Sequence, residues 1–180
     1  MNFPIFSQKD PKWADKKINN TNSTFKDYGC AISSLAMLCL YWGKETNPAK
    51  LHDELIKVGG FQDDMVKWEM ISGIYPDIIY KETVNCDKTA APLEKLNENL
   101  PCILKVKIGK QDHFIVAWEK QGNDYFISDP FYGDQLLLTT RYKPIPARTI
   151  CGLRIFEHQI SSIFTKEEIK KKIIELVNQL

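Results

Sequence analysis

Asp27-Tyr28-Gly29-Cys30-Ala31-Ile32-Ser33-Ser34-Leu35-Ala36-Met37-Leu38 runs from a glycine-containing turn straight into an apolar helical pattern, with a cysteine at the junction. The pattern predicts a helix from about Cys30 to Trp42, closed by Gly43. Ile32, Leu35, Ala36, Met37, Leu38, Cys39 and Leu40 make it apolar nearly all round, the mark of a central buried helix. A thiol at the first position meets unpaired backbone N–H groups and the positive end of the helix dipole, and both favour the nucleophilic thiolate. Cys30 also suits the plainer role of a small apolar residue opening a core helix. Its meaning therefore depends on the rest of the chain.

Upstream, Pro4, Lys9-Asp10-Pro11 and the polar stretch from Lys16 to Thr24 read as extended segments and loops, in which Gln8 and Trp13 stand out. Downstream, Asn47 as N-cap and Pro48 at the first helical position start a second helix, which Gly59-Gly60 stop after Val58. Its apolar face is Leu51, Leu55, Ile56 and Val58. A third short helix is predicted from Met65 to Ser72, a strand over Ile78 to Val84, and a helix from Thr89 to Asn99. From Pro101 the periodicity becomes two. Cys102 to Ile108, His113 to Trp118, Asp124 to Ser128 and Gln135 to Thr139 read as short strands, with Gln121-Gly122-Asn123-Asp124 as a hairpin turn. Thr149 to Glu157 is a further strand, after the basic, proline-interrupted segment from Arg141 to Arg148. The capping box Thr165-Lys166-Glu167-Glu168 opens a final amphipathic helix, with Ile169, Ile173, Val177 and Leu180 as its stripe. Packing on its own domain and docking a partner are both open to it. Helices first and an antiparallel sheet second predict one α+β domain over residues 1–180, in two lobes.

Composition narrows the function. The 180 residues are 43% hydrophobic and 26% charged, as in globular proteins, and long enough to bury a core. A net charge of +1 offers no electrostatic footprint for nucleic acid or an anionic membrane, and no apolar run approaches the ~20 residues of a membrane span. The first residues lack the basic and apolar regions of a signal peptide, which predicts a cytoplasmic protein. Release by lysis or by another export route would leave no trace there. The 5 cysteines include no CxxC pair, so neither a disulfide framework nor a zinc site is implied, although a Cys86–Cys102 bridge stays open. No cofactor is called for.

With only 3 histidines, each can be weighed. His52, beside Asp53 and Glu54, reads as a solvated helix residue, and His158 has no obvious partner. His113 opens an apolar strand directly after the polar loop Gly109-Lys110-Gln111-Asp112, held by a sheet yet near solvent. One hairpin later, Asp129 ends the neighbouring strand, because Pro130 cannot continue it. The tight turn at Gly122 lets Asp129 lie alongside His113, accept from one ring nitrogen and leave the other for a nucleophile. Alone, Asp129 is also an ordinary turn residue before proline. Together, Cys30, His113 and Asp129 are the parts of a Cys-His-Asp engine.

The order Gln, Cys, His, Asp resembles that of papain-like cysteine peptidases. More narrowly, the chain is similar to cysteine-peptidase family thirty-nine, the double-glycine leader peptidases with their stand-alone bacterial and phage relatives. The resemblance is carried by Phe6-Ser7-Gln8-Lys9-Asp10-Pro11-Lys12-Trp13, Tyr28-Gly29-Cys30-Ala31-Ile32-Ser33-Ser34-Leu35-Ala36-Met37, His113-Phe114-Ile115-Val116 and Ser128-Asp129-Pro130. It implies a papain-like two-lobed fold, Cys30 as nucleophile, His113 as general base and acid, Asp129 as the orienting acid and Gln8 as an oxyanion donor. Asp112 stands where relatives often carry glycine, placed either to raise the imidazole pKa or to point into water. The implied substrate is a peptide or protein, with peptidoglycan peptides as one case. Amidase or acyl-transfer chemistry at the same site, and a non-catalytic peptide-binding module, are the alternatives. Trp13, Trp68 and Tyr132 are candidates to line a cleft or to fill the core.

Overall fold

Gly29 separates two helices that sequence pattern alone merges into a turn and a helix. In the computed structural model, which describes residues 3–85, 93–142 and 150–159, α1 (Phe25–Tyr28) is a single turn and α2 (Cys30–Tyr41) follows at once. The Gly29 N–H donates to the Phe25 carbonyl at 2.7 Å. A Cβ on Gly29 would stand 2.5 Å from that carbonyl oxygen and 2.9 Å from the Phe25 Cα, so only glycine permits the approach. Ile32 through Cys39 are all buried, the central helix expected from their composition. α3 (Pro48–Lys57) begins as its capping pattern predicts, with the Asn47 side chain accepting from the Lys50 N–H. It buries Leu51, His52 and Leu55 but leaves Ile56 exposed.

The predicted third helix is corrected. Phe61–Gln62 (β1) and Met65–Val66 (β2) form a small antiparallel ribbon, and Trp68–Gly73 is a 3₁₀ helix. The apolar spacing there is too short to tell one helical turn from a hairpin arm, and the positive-φ turn at Asp63 favours the ribbon.

One six-stranded sheet carries the rest, formed by β3 (Ile78–Asn85), β4 (Cys102–Ile108), β5 (Gln111–Gln121), β6 (Asp124–Asp129), β7 (Asp134–Leu137) and β8 (Gly152–His158). Its order is β3-β8-β4-β5-β6-β7, and every pairing is antiparallel. Gln121 pairs with Asp124 across Gly122, whose φ of 59° fits the tight hairpin turn. Alternation sorts the side chains. Ile103, Val116 and Phe156 join the core around α2, whereas Leu104, Val106, Ile115, Ala117, Ile127, Leu153 and Ile155 form a second core on the other face. The Ser34 hydroxyl donates to the Phe114 carbonyl at 3.1 Å and ties α2 to β5.

β5 starts two residues before His113, because Gln111 and Asp112 pair with Ile108 and Lys107. The expected four-residue loop is therefore a tight turn at Gly109-Lys110. β7 ends at Leu137, and Leu138–Arg141 is a helical turn (α5) where strand was expected to Thr139. Leu93–Glu98 (α4) is the described part of the helix predicted from Thr89. Cys86, the segment 143–149 and the predicted helix at 165–180 lie outside the described residues.

Two histidines differ from expectation. His52 is 2% exposed, packed between Phe25 and Phe61. Its Nε2 accepts from the Asn19 N–H at 3.0 Å, so Nδ1 carries the proton toward Asp53 Oδ1. Burial lowers its pKa, and a neutral ring results. His158 does have a partner: its Nε2 lies 3.1 Å from Asp77 Oδ2, and its ring stacks on Trp42.

Candidate active site

Cys30 heads α2 and borders a cleft of about 510 Å³ between the helices and the sheet. Gln8, His113, Trp68, Phe114 and Phe131 share that lining. Trp13 instead is buried in the core, donating Nε1–H to the Ser7 carbonyl at 2.8 Å. Tyr132 stays half exposed, with the Arg141 guanidinium 3.9 Å over its ring.

His113 and Asp129 meet because the strand alternation gives them one face. His113 shares its parity with Ile115 and Ala117, Asp129 with Tyr125 and Ile127, and those four build one core. The imidazole Nε2 lies 2.8 Å from Asp129 Oδ1. The ring is 4% exposed and the carboxylate wholly buried. Burial alone would lower the His113 pKa. The hydrogen bond to Asp129 and the attraction of the Cys30 sulfur on the ring overcome it and raise the pKa to about 9. The thiol, the imidazole and the carboxylate thus stand in the order that a nucleophile, its base and an orienting acid require.

Asp129 stays ionised although burial opposes it. Oδ1 also accepts from the Phe131 N–H at 3.0 Å. Oδ2 accepts from the Tyr142 hydroxyl at 2.6 Å and from Arg141 Nη1 at 3.0 Å. These donors, with His113, hold its pKa below the usual carboxylate range. Arg141 is itself fixed by two bonds to Asp134, at 2.8 and 2.7 Å. The sequence reading missed Arg141 and Tyr142 as partners of Asp129. Arg141 was visible only as the start of a basic segment, and no local pattern marks side chains that return to a strand end 12 and 13 residues back.

Gln8 is 1% exposed, and its backbone N–H donates to the Pro130 carbonyl at 2.8 Å, next to Asp129. Its Nε2 donates one hydrogen to the Lys26 carbonyl at 2.8 Å, an acceptor that fixes which end of the amide is nitrogen. No second partner of Nε2 is found among the described residues, and Oε1 is buried without one. Asp112 points to its strand neighbours, paired with Lys107 and 3.7 Å from Lys105. It leaves the imidazole to Asp129.

Two other thiols lie deeper than Cys30, which is partly exposed. Cys39 and Cys102 are buried, and burial pushes both pKa values up, Cys102 to about 12. Cys102 is a free thiol directed at the Arg154 carbonyl at 3.4 Å, and its suggested partner Cys86 lies outside the described residues.

A cysteine at the head of a buried helix, packed against an antiparallel sheet that presents a histidine, defines a papain-like α+β fold of the cysteine-peptidase class. The sequence profile of the Peptidase_C39 like family matches residues 1–147, and the chain belongs to that family. No curated protein matches the chain.

Proposed function

We propose that the chain is a cysteine peptidase working through Cys30, His113 and Asp129, with Gln8 in the oxyanion hole. The observation that carries the reading is the buried imidazole, held by Asp129 at 2.8 Å and lining the same cleft as Cys30, whose sulfur acts on the ring's charge. The Cys30 thiolate attacks the carbonyl carbon of the scissile peptide. The developing oxyanion takes the second hydrogen of Gln8 Nε2 and the Cys30 backbone N–H, which heads α2 and lacks an intrahelical acceptor. The His113 imidazolium then gives its proton to the leaving amine, and an acyl-thioester remains. Neutral His113 takes one proton from water, whose oxygen attacks the thioester; collapse restores the thiolate–imidazolium pair and frees a carboxylic acid, which gives its proton to solvent. Losing the Gln8 donor is expected to cost ~10²–10³ in turnover.

The test is iodoacetamide modification of each cysteine against pH, followed by peptide mass spectrometry, in wild type and His113→Ala. Cys30 is expected to react faster than the other cysteines, and to lose that advantage without His113. Slow Cys30 alkylation with ordinary thiol titration in both proteins would remove the thiolate–imidazolium pair and, with it, this mechanism.

A further inference from the structure

We propose that the Arg154 guanidinium, on the sheet side of the cleft, recognises a carboxylate of the substrate peptide. The proposal rests on the peptidase reading and adds a substrate class to it. Arg154 borders the same cleft as Cys30 and His113 and is only 9% exposed. The one hydrogen bond of its guanidinium among the described residues runs from Nη1 to the Leu153 carbonyl at 3.0 Å, and its Nε–H is buried without a partner. No carboxylate among the described residues pairs with it.

The acids that share the cleft are occupied or lie elsewhere on its wall. Asp112 is committed to Lys107, with Lys105 at 3.7 Å, and Asp27 and Asp64 on the helical side accept from the hydroxyls of Thr24 and Ser23. Trp68 and Phe114 flank the guanidinium at 5.9 and 5.3 Å and make its surroundings apolar. A Cβ on Gly152 would lie 3.5 Å from both Arg154 Nη1 and Lys105 Cε, so two cationic side chains converge over a residue without one.

A buried cation with neither counter-ion nor a full set of acceptors destabilises a fold. Its guanidinium fork matches a carboxylate in shape and charge, and the apolar walls strengthen that pairing. An entering Asp or Glu side chain, or a free C-terminal carboxylate, would supply the missing partner. Burial lowers the Arg154 pKa and outweighs the attraction of Tyr80 and of Asp112, neither of which pairs with it.

The test uses one peptide library in two ways: digestion by the wild-type protein, and retention on immobilised Cys30→Ala protein, both read by mass spectrometry. Cleaved and retained peptides are expected to be enriched in carboxylates about tenfold over their amide isosteres, an enrichment that Arg154→Met abolishes. Repeating both with a C-terminally amidated library separates the sources. Enrichment that survives amidation assigns acidic side chains, and enrichment that vanishes assigns the terminal carboxylate. Arg154→Met should melt above the parent protein, which also verifies that it folds. Cleavage or retention indifferent to carboxylates, or equal enrichment on the Arg154→Met protein, overturns the proposal. Carboxylate-dependent retention without any cleavage keeps the recognition site and defeats the peptidase reading instead.

Discussion

Asp129 is the side chain on which the candidate site turns, since it is wholly buried yet ionised among four donors. Its hydrogen bond and its charge, together with the Cys30 sulfur, hold the proton on His113. Asp129→Asn keeps an oxygen for the ring but removes that charge. The alkaline limb of the pH–rate profile, set by loss of the imidazolium proton at about 9, is expected to move down toward the ordinary imidazole value. The new amide also faces the donors Arg141 and Tyr142, so stability should fall by ~1–3 kcal/mol in urea unfolding. Tyr142→Phe separates the two effects. It loses the 2.6 Å bond to Oδ2 but leaves the charge in place. Its unfolding free energy should drop by ~1.5–3 kcal/mol, while the alkaline limb stays near that of wild type. An equal shift of the limb in both variants would mean that the hydroxyl, not the carboxylate charge, sets the imidazole.

The junction of α1 and α2 shows what a motif encodes and what it hides. The pairing of glycine and cysteine is plain in the sequence. Its reason is not, because the 2.5 Å approach of a Gly29 Cβ to the Phe25 carbonyl exists only once both helices are built. Gly29→Ala is therefore expected to push the head of α2 outward, lower the melting temperature, and slow Cys30 alkylation toward the rate of a free thiol. Unchanged alkylation in a folded Gly29→Ala protein would show that the junction yields without moving the thiol. The strands were legible for the opposite reason: alternation and the turn at Gly122 are local signals, and they sufficed to bring Asp129 beside His113. The segment from Met65 to Ser72 was not legible. A two-residue strand and a 3₁₀ turn are too short to express either period.

Across the molecule, the division into helices and an antiparallel sheet followed from pattern, whereas the buried polar groups did not. Nothing local distinguishes His52, followed by two acids on an amphipathic helix, from a solvated residue. Its burial comes from Phe25 and Phe61, which reach it from separate segments. The consequence is a stability optimum with opposite causes on its two sides. His113 has a folded pKa raised to about 9. Its contribution is complete below the unfolded value of ~6.5 and is lost as pH climbs through 9. His52 has a folded pKa lowered by burial, so below ~6.5 the unfolded chain takes up a proton that the folded ring refuses, and stability falls. Asp129, with its lowered pKa, adds a further loss only as pH drops below ~4. Melting temperature should thus peak near pH 6.5 and decline on both sides. His52→Gln can accept from the Asn19 N–H without titrating, and it should flatten the decline between pH 6.5 and 5 while leaving the alkaline side unchanged. His113→Ala should flatten only the alkaline side. If His52→Gln keeps the wild-type decline from pH 6.5 to 5, the acid sensitivity belongs to other groups and the neutral, buried ring is not its cause.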